Sequence, residues 1–136
     1  CSILQPADSR GGFQHALPNA PYATTTTDVV NMGTLDASLR LIDAGLASVV
    51  ALNFASAKNP GGGFDRGADA QEESLARNSG LYAALSKHAG HYAQAKREND
   101  PLYSDAVIYS PAVPVFRSEA GELLSQPWRL AFITAA

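Results

Sequence analysis

The sequence has a single cysteine, Cys1, among its 136 residues, so no internal disulfide framework can form and a reducing, cytoplasmic setting is expected. It has no run of eighteen apolar residues, which excludes a spanning helix and gives no reason to expect a membrane partner. No basic segment followed by an apolar stretch opens it, so no secretory leader is expected. Basic residues are few: ten Lys and Arg against thirteen Asp and Glu give a net charge of −3. That balance excludes a general grip on nucleic acid, which needs clustered cations to displace counterions. A phosphate-bearing ligand would have to be met by backbone amides and a few placed side chains. Histidines number only three. His88 and His91 are separated by Gly90 with no further Cys or His nearby, so no metal site is expected and a solvated helix end is the better account.

What is present is ordinary globular composition, 46% hydrophobic and 17% charged, in a length that suits one domain spanning 1–136. Residues 1–23, rich in Pro, Gly and Asn, read as an irregular arm. Thr24–Val30 is β-branched and predicts a first strand. Thr34 as N-cap, with Leu35, Leu39 and Ile42 on one face and Gly45 at the end, predicts a short amphipathic helix. Ala47–Phe54 is almost continuously apolar and predicts a strand buried on both faces. A long helix is predicted over 70–87, capped by Asp69, with Leu75, Tyr82 and Leu85 facing inward. Gly90 should interrupt it, with another turn or two over His91–Arg97. Ala106–Tyr109 and Val113–Phe116 are two short strands or one interrupted by Pro111 and Pro114, then Gly121 marks a turn. Arg129–Thr134 is a final buried strand. The order β-α-β-α-β with unalternating strands predicts a mostly parallel sheet covered by helices, with ligands bound beyond the strands' carboxyl ends.

The most informative segment is 61–73, Gly-Gly-Gly-Phe-Asp-Arg-Gly-Ala-Asp-Ala-Gln-Glu-Glu. Three consecutive glycines carry a high entropic cost and are tolerated where backbone approaches a ligand or takes positive φ. Their amides, at the end of the buried strand, could face an anion with no Cβ in the way. Glu72 and Glu73 fall in the predicted first turn of a helix, whose dipole lowers carboxyl pKa values. Burial and mutual repulsion act in the opposite sense and can keep one of the two protonated. Coupled carboxylates in unlike environments are what glycoside cleavage needs, and Gln71 beside them can orient a hydroxyl. A solvated acidic helix start behind a surface loop is the alternative at this stage. Phe64 anchors the glycines or touches ligand, Asp65 and Arg66 form an exposed pair, and Lys58 or Arg66 could assist a phosphate.

Gly61-Gly62-Gly63, seven intervening residues, and Gln71-Glu72-Glu73 resemble the signature of the poly(ADP-ribose) glycohydrolases, a branch of the macrodomain fold. The flanks Leu52–Pro60 and Ser74–Arg77, and the later Tyr103–Pro111 and Val113–Arg117, are similar to the microbial-type members. The resemblance covers about Asp28 to Ala136. It implies a three-layer α/β/α macrodomain-like mixed sheet, of which this chain holds the N-terminal part, since members continue past the strand near Thr134. It implies hydrolysis of the ribose–ribose O-glycosidic bond without metal or other cofactor, with poly(ADP-ribose), ADP-ribose and ADP-ribosylated proteins as partners. Glu73 would be the acid and then the base, and Glu72 would hold ribose hydroxyls. Gly61, Gly62 and Gly63 would contact substrate, with Gln71 and Ser56 completing the polar shell. Family members often read adenine with an acid after the first strand; Asn31–Thr34 offers none. A binding module that does not cut, an inactive fragment and a phosphate enzyme using the glycine loop are the rival classes. The last would call for a Lys-Ser/Thr pair after the glycines, which is absent.

Overall fold

The computed structural model describes residues 2–4, 26–98 and 105–136. Its elements are β1 (Ser2–Leu4), α1 (Thr34–Asp43), β2 (Val50–Phe54), α2 (Gln71–Asn78), α3 (Leu81–Leu85), α4 (Ala89–Glu98), β3 (Val107–Arg117) and β4 (Leu123–Ala135). The sheet is mixed and has the strand order β1-β3-β4-β2. Only β2 and β4 run parallel, with Leu52 opposite Ile133; β1–β3 and β3–β4 are antiparallel. The mostly parallel sheet predicted from element order is therefore corrected. β3 and β4 follow one another without a helix between them, so a tight turn joins them as a hairpin. In that turn Gly121 has φ 84° and donates to the Ser118 carbonyl at 2.9 Å.

Helices pack against one face of this sheet. There Phe132, Val115, Leu130 and Ile108 meet Leu35, Leu75, Leu81 and Leu85, all at 1% exposure or less. The opposite face of β2 carries Val50, Leu52 and Phe54, all exposed. β2 thus alternates between buried and exposed positions, whereas its apolar run predicted burial on both sides. The described residues supply the sheet and one helical layer. Among them no helix is long and apolar enough to cross a membrane.

Local chemistry explains the other departures. Residues 26–30 form no strand and are exposed, while Thr24, Thr25 and residues 5–23 of the predicted arm lie outside the described residues. Within that arm Ser2–Leu4 is a strand, held by β3. The predicted 70–87 helix divides because Ser79 accepts the Leu81 amide through Oγ at 3.2 Å, and Gly80 donates to the Pro114 carbonyl at 2.9 Å. Gly90, expected to break helicity, lies inside α4. β3 runs through both prolines by means of a bulge between Ser110 and Val113, where Ala112 takes φ 54°.

Candidate active site

β2 ends at Phe54, and the chain then folds back on itself to deliver the glycines to the start of α2. Ser56 shapes the first part of that path. Its hydroxyl oxygen accepts the amides of Lys58 and Asn59 at 3.3 and 3.1 Å, a hydroxyl turn that closes the loop after the strand. Gly61 and Gly62 take φ values of 71° and 63°, open to glycine and strained for other residues.

The glycine amides do not form an open anion cradle, as the sequence suggested. Those of Gly61 and Gly63 face the protein's own carboxylates. Gly61 donates to Glu72 Oε1 at 3.1 Å, Gly63 donates to Glu73 Oε1 at 3.0 Å, and Gly62 donates to the Asn59 carbonyl at 3.0 Å. Two adjacent acids in the first turn of a helix are the nearest anions, and they bind the loop before any ligand does. A Cβ on Gly62 would stand 2.2 Å from Glu73 Oε1 and 3.3 Å from Glu72 Oε2, so both carboxylates converge on the space a side chain at Gly62 would take.

Glu72 is 3% exposed and heavily bonded. Besides Gly61, it accepts the Ser56 amide on Oε2 at 2.7 Å and Asn53 Nδ2 on Oε1 at 3.4 Å. Asn53, fully buried on β2, also donates to Thr134 Oγ1 on β4 at 3.2 Å. Burial pushes the Glu72 carboxyl above its ordinary pKa, with Glu73 adding a smaller effect in the same direction, and the three hydrogen bonds pull the other way. Glu73 is the contrasting member. Among the described residues it takes one hydrogen bond, from Gly63, and that bond, with helix-start amides and Arg77, holds its carboxyl below the usual range. The predicted split between the two acids is present in direction: burial raises the Glu72 carboxyl, and the Gly63 amide lowers that of Glu73.

Gln71 is held by structure on both ends of its amide. Its Oε1 accepts the Phe54 amide at 2.9 Å, and its Nε2 donates to the Leu52 carbonyl at 2.7 Å and Thr34 Oγ1 at 3.2 Å. The side chain thereby pairs with the edge of β2 as a strand residue would, which fixes the register of α2 against the sheet. Ser56 and Gln71 both sit at the site, with these atoms engaged internally.

Arg77 reaches back from the end of α2 to the Ala68 carbonyl at 2.7 Å and pairs with Asp69, closing the loop from the far side. Asp69 was expected to cap the helix; the capping position is Ala70, with no side-chain bond. Phe64 packs on Tyr82 with ring centroids 4.9 Å apart, beneath Gly61. Tyr82 is exposed rather than part of the core stripe. Asp65 and Arg66 form the expected exposed pair at 4.0 Å. No group of three His, Cys, Asp or Glu side chains converges among the described residues. His91 packs edge-on against Tyr92, with centroids 5.5 Å apart. Asn53, Arg77 and Glu119 are the supporting residues that the sequence did not single out. An Asn inside an apolar strand was the one visible signal among them.

Against known proteins, the sequence matches the family described as microbial-type PARG, catalytic domain, over residues 6–118. Among solved structures the fold is similar to poly(ADP-ribose) glycohydrolase from Thermomonospora curvata bound to the inhibitor ADP-HPD. The TM-score is 0.77 and the identity 56%, over 79% of this chain and 41% of that one. It is also similar to the enzyme from Deinococcus radiodurans in complex with ADP-ribose, with TM-score 0.71 and 47% identity over 79% of this chain and 42% of that one. The chain thus spans about two fifths of the length of these relatives. No curated protein sequence matches it.

Proposed function

The chain belongs to the microbial-type poly(ADP-ribose) glycohydrolase family, and from that premise we propose that it takes part in hydrolysis of the ribose–ribose O-glycosidic bond of poly(ADP-ribose), releasing ADP-ribose. The observation that carries the proposal is the unlike pair of α2 acids held by one glycine loop: Glu72 buried and triply bonded, Glu73 adjacent, half-buried and bonded to Gly63. Hydrolysis of a glycoside needs one group that stays fixed and one that moves a proton.

In this scheme Glu73 delivers a proton to the leaving ribose oxygen as the bond from that oxygen to the anomeric carbon breaks. Water then attacks the oxocarbenium-like carbon and returns a proton to Glu73, which restores the acid. Glu72 carries no proton transfer. Its Oε1 already accepts two donors and its Oε2 one, leaving a single acceptor position on Oε2 for a ribose hydroxyl. Gly61, Gly62 and Gly63 bring backbone, unshielded by side chains, to the distal ribose and diphosphate. Ser56 and Gln71 act by holding that loop and the start of α2. The single cysteine supports a reducing, intracellular setting, where ADP-ribosylated proteins would be the source of substrate.

Glu73 must be protonated to act as acid, yet it is held ionised in the free protein. A bound diphosphate places negative charge near it and raises its pKa. The expected result is that the alkaline limb of kcat, which reports the complex, lies at higher pH than that of kcat/KM, which reports the free protein. Coincident limbs would remove Glu73 as the acid. The proposal itself is tested by incubating poly(ADP-ribose) of defined length with the full chain and identifying products by chromatography. Free ADP-ribose is expected. Retention of the polymer without cleavage would replace the hydrolase with a binding module.

A further inference from the structure

The first turn of α2 has no side-chain hydrogen bond from its capping residue, Ala70, so its geometry is fixed from outside. Gln71 is tied to β2 and Thr34, Glu72 to the loop and Asn53, and Glu73 to Gly63. The fourth residue of the turn, Ser74, points its hydroxyl at Glu119 Oε1, 3.5 Å away. Glu119 lies in the β3–β4 turn, far from the glycine signature in sequence. Its other oxygen accepts the Leu35 amide at 2.9 Å and the Asp36 amide at 3.4 Å, which caps the N-terminus of α1 from a distance. Thr34, whose hydroxyl receives Gln71 Nε2, is the first residue of that same helix. One carboxylate therefore joins the hairpin turn to α1, and α1 to the residue on either side of the acid pair.

A second feature is built around this contact. A Cβ on Gly33 would stand 2.3 Å from the Glu119 carboxyl carbon and within 2.6 Å of both its oxygens. Gly33 has φ −70°, a conformation open to any residue, so its lack of a side chain serves space rather than backbone freedom. The sequence expectation that Thr34 caps α1 is corrected accordingly: Gly33 occupies the capping position with no side chain of its own, and Glu119 supplies the acceptor.

We propose that Glu119 is a positioning residue for the glycohydrolase site, clamping the α1 N-terminus and Ser74 so that the first turn of α2 presents Glu73 to the Gly63 amide. The proposal rests on the function assigned above for its kinetic consequence, but its structural content stands apart from it. The hydrogen bonds of Glu119 go to α1 and Ser74 rather than to the glycine loop.

The test uses Glu119→Ala, Glu119→Gln, Gly33→Ala and the double variant Glu119→Ala/Gly33→Ala in the full chain. Two readouts are taken: steady-state kinetics on poly(ADP-ribose), and amide hydrogen exchange at Gly63, with Phe132 in the core as reference. Glu119→Ala is expected to lower kcat about tenfold with little change in KM, since small misplacements of a reacting group act on the chemical step. Glu119→Gln keeps an acceptor for the Leu35 amide and should recover most of that loss. Gly33→Ala, which expels the carboxylate without removing it, should match Glu119→Ala and add nothing in the double variant. Gly63 exchange should quicken about tenfold in the same variants while Phe132 is unchanged.

Unchanged Gly63 exchange in Glu119→Ala overturns the proposal, whether or not the protein cleaves the polymer. So does full additivity of the two substitutions. Equal acceleration at Gly63 and Phe132 reduces Glu119 to a general contributor to stability and overturns it too. If the wild type releases no ADP-ribose, the hydrolase assignment fails by itself and the exchange data still decide the role of Glu119.

Discussion

Glu73→Gln is expected to reduce ADP-ribose release by a factor of about 10² to 10⁴, the range typical for loss of a positioned acid–base group. The amide is nearly isosteric, and its oxygen can still accept the Gly63 N–H that now reaches Glu73 Oε1 at 3.0 Å. What it cannot do is give a proton to the leaving ribose and recover one from water. Binding of ADP-ribose should change by no more than a few fold, because the carboxyl group serves the transition state rather than the ground state. The loss should therefore appear in kcat with KM nearly constant. A variant that retained activity while folded would remove Glu73 from the chemistry and turn attention to Glu72, whose carboxyl burial holds above its ordinary pKa.

Gly62→Ala is expected to be almost as damaging by a different route. Two penalties fall on one methyl group. Gly62 has φ 63°, where an L-residue carries about 1–2 kcal/mol of strain. The new Cβ would also lie 2.2 Å from Glu73 Oε1 and 2.8 Å from its carboxyl carbon. Of the groups it meets, the end of the Glu73 side chain moves most easily, so the collision is relieved by displacing that carboxylate from Gly63. Activity should fall at least about a hundredfold, as expected when a reacting group is shifted by an ångström. Gly67→Ala is the internal control. Gly67 also has positive φ, 84°, but nothing lies within 4 Å of its missing Cβ. It should show comparable loss of melting temperature with most of the activity retained. Equal activity losses in the two variants would mean that backbone strain, not the carboxylate contact, governs the site.

The glycine–acid segment stands out in the sequence, as does the α/β class, whereas the pairing of the strands does not. Glycines next to paired acids also fit a surface loop before an acidic helix start, but the unlike environments of Glu72 and Glu73 follow from adjacent helical positions pointing roughly 100° apart. The direction of the glycine amides was not legible, because the sequence does not say whether an acid ten residues on or an external ligand reaches them first. Strand order escaped for a related reason. An apolar run reports burial, but pairing depends on which strand arrives across the gap, and here β3 and β4 are joined by the turn around Gly121. Asn78-Ser79-Gly80 is a turn signal inside a helical pattern, and the apolar periodicity of Leu75 and Leu85 on either side concealed it. Glu119 capping a helix 83 and 84 residues earlier has no local trace at all.

The most direct test of the acid–base assignment is release of ADP-ribose from poly(ADP-ribose) by the full chain, with wild type, Glu73→Gln and Gly62→Ala assayed together and ADP-ribose binding measured on the same Glu73→Gln sample. The account predicts release by the wild type alone, with Glu73→Gln still binding ADP-ribose. Release by Glu73→Gln at the wild-type rate would contradict it.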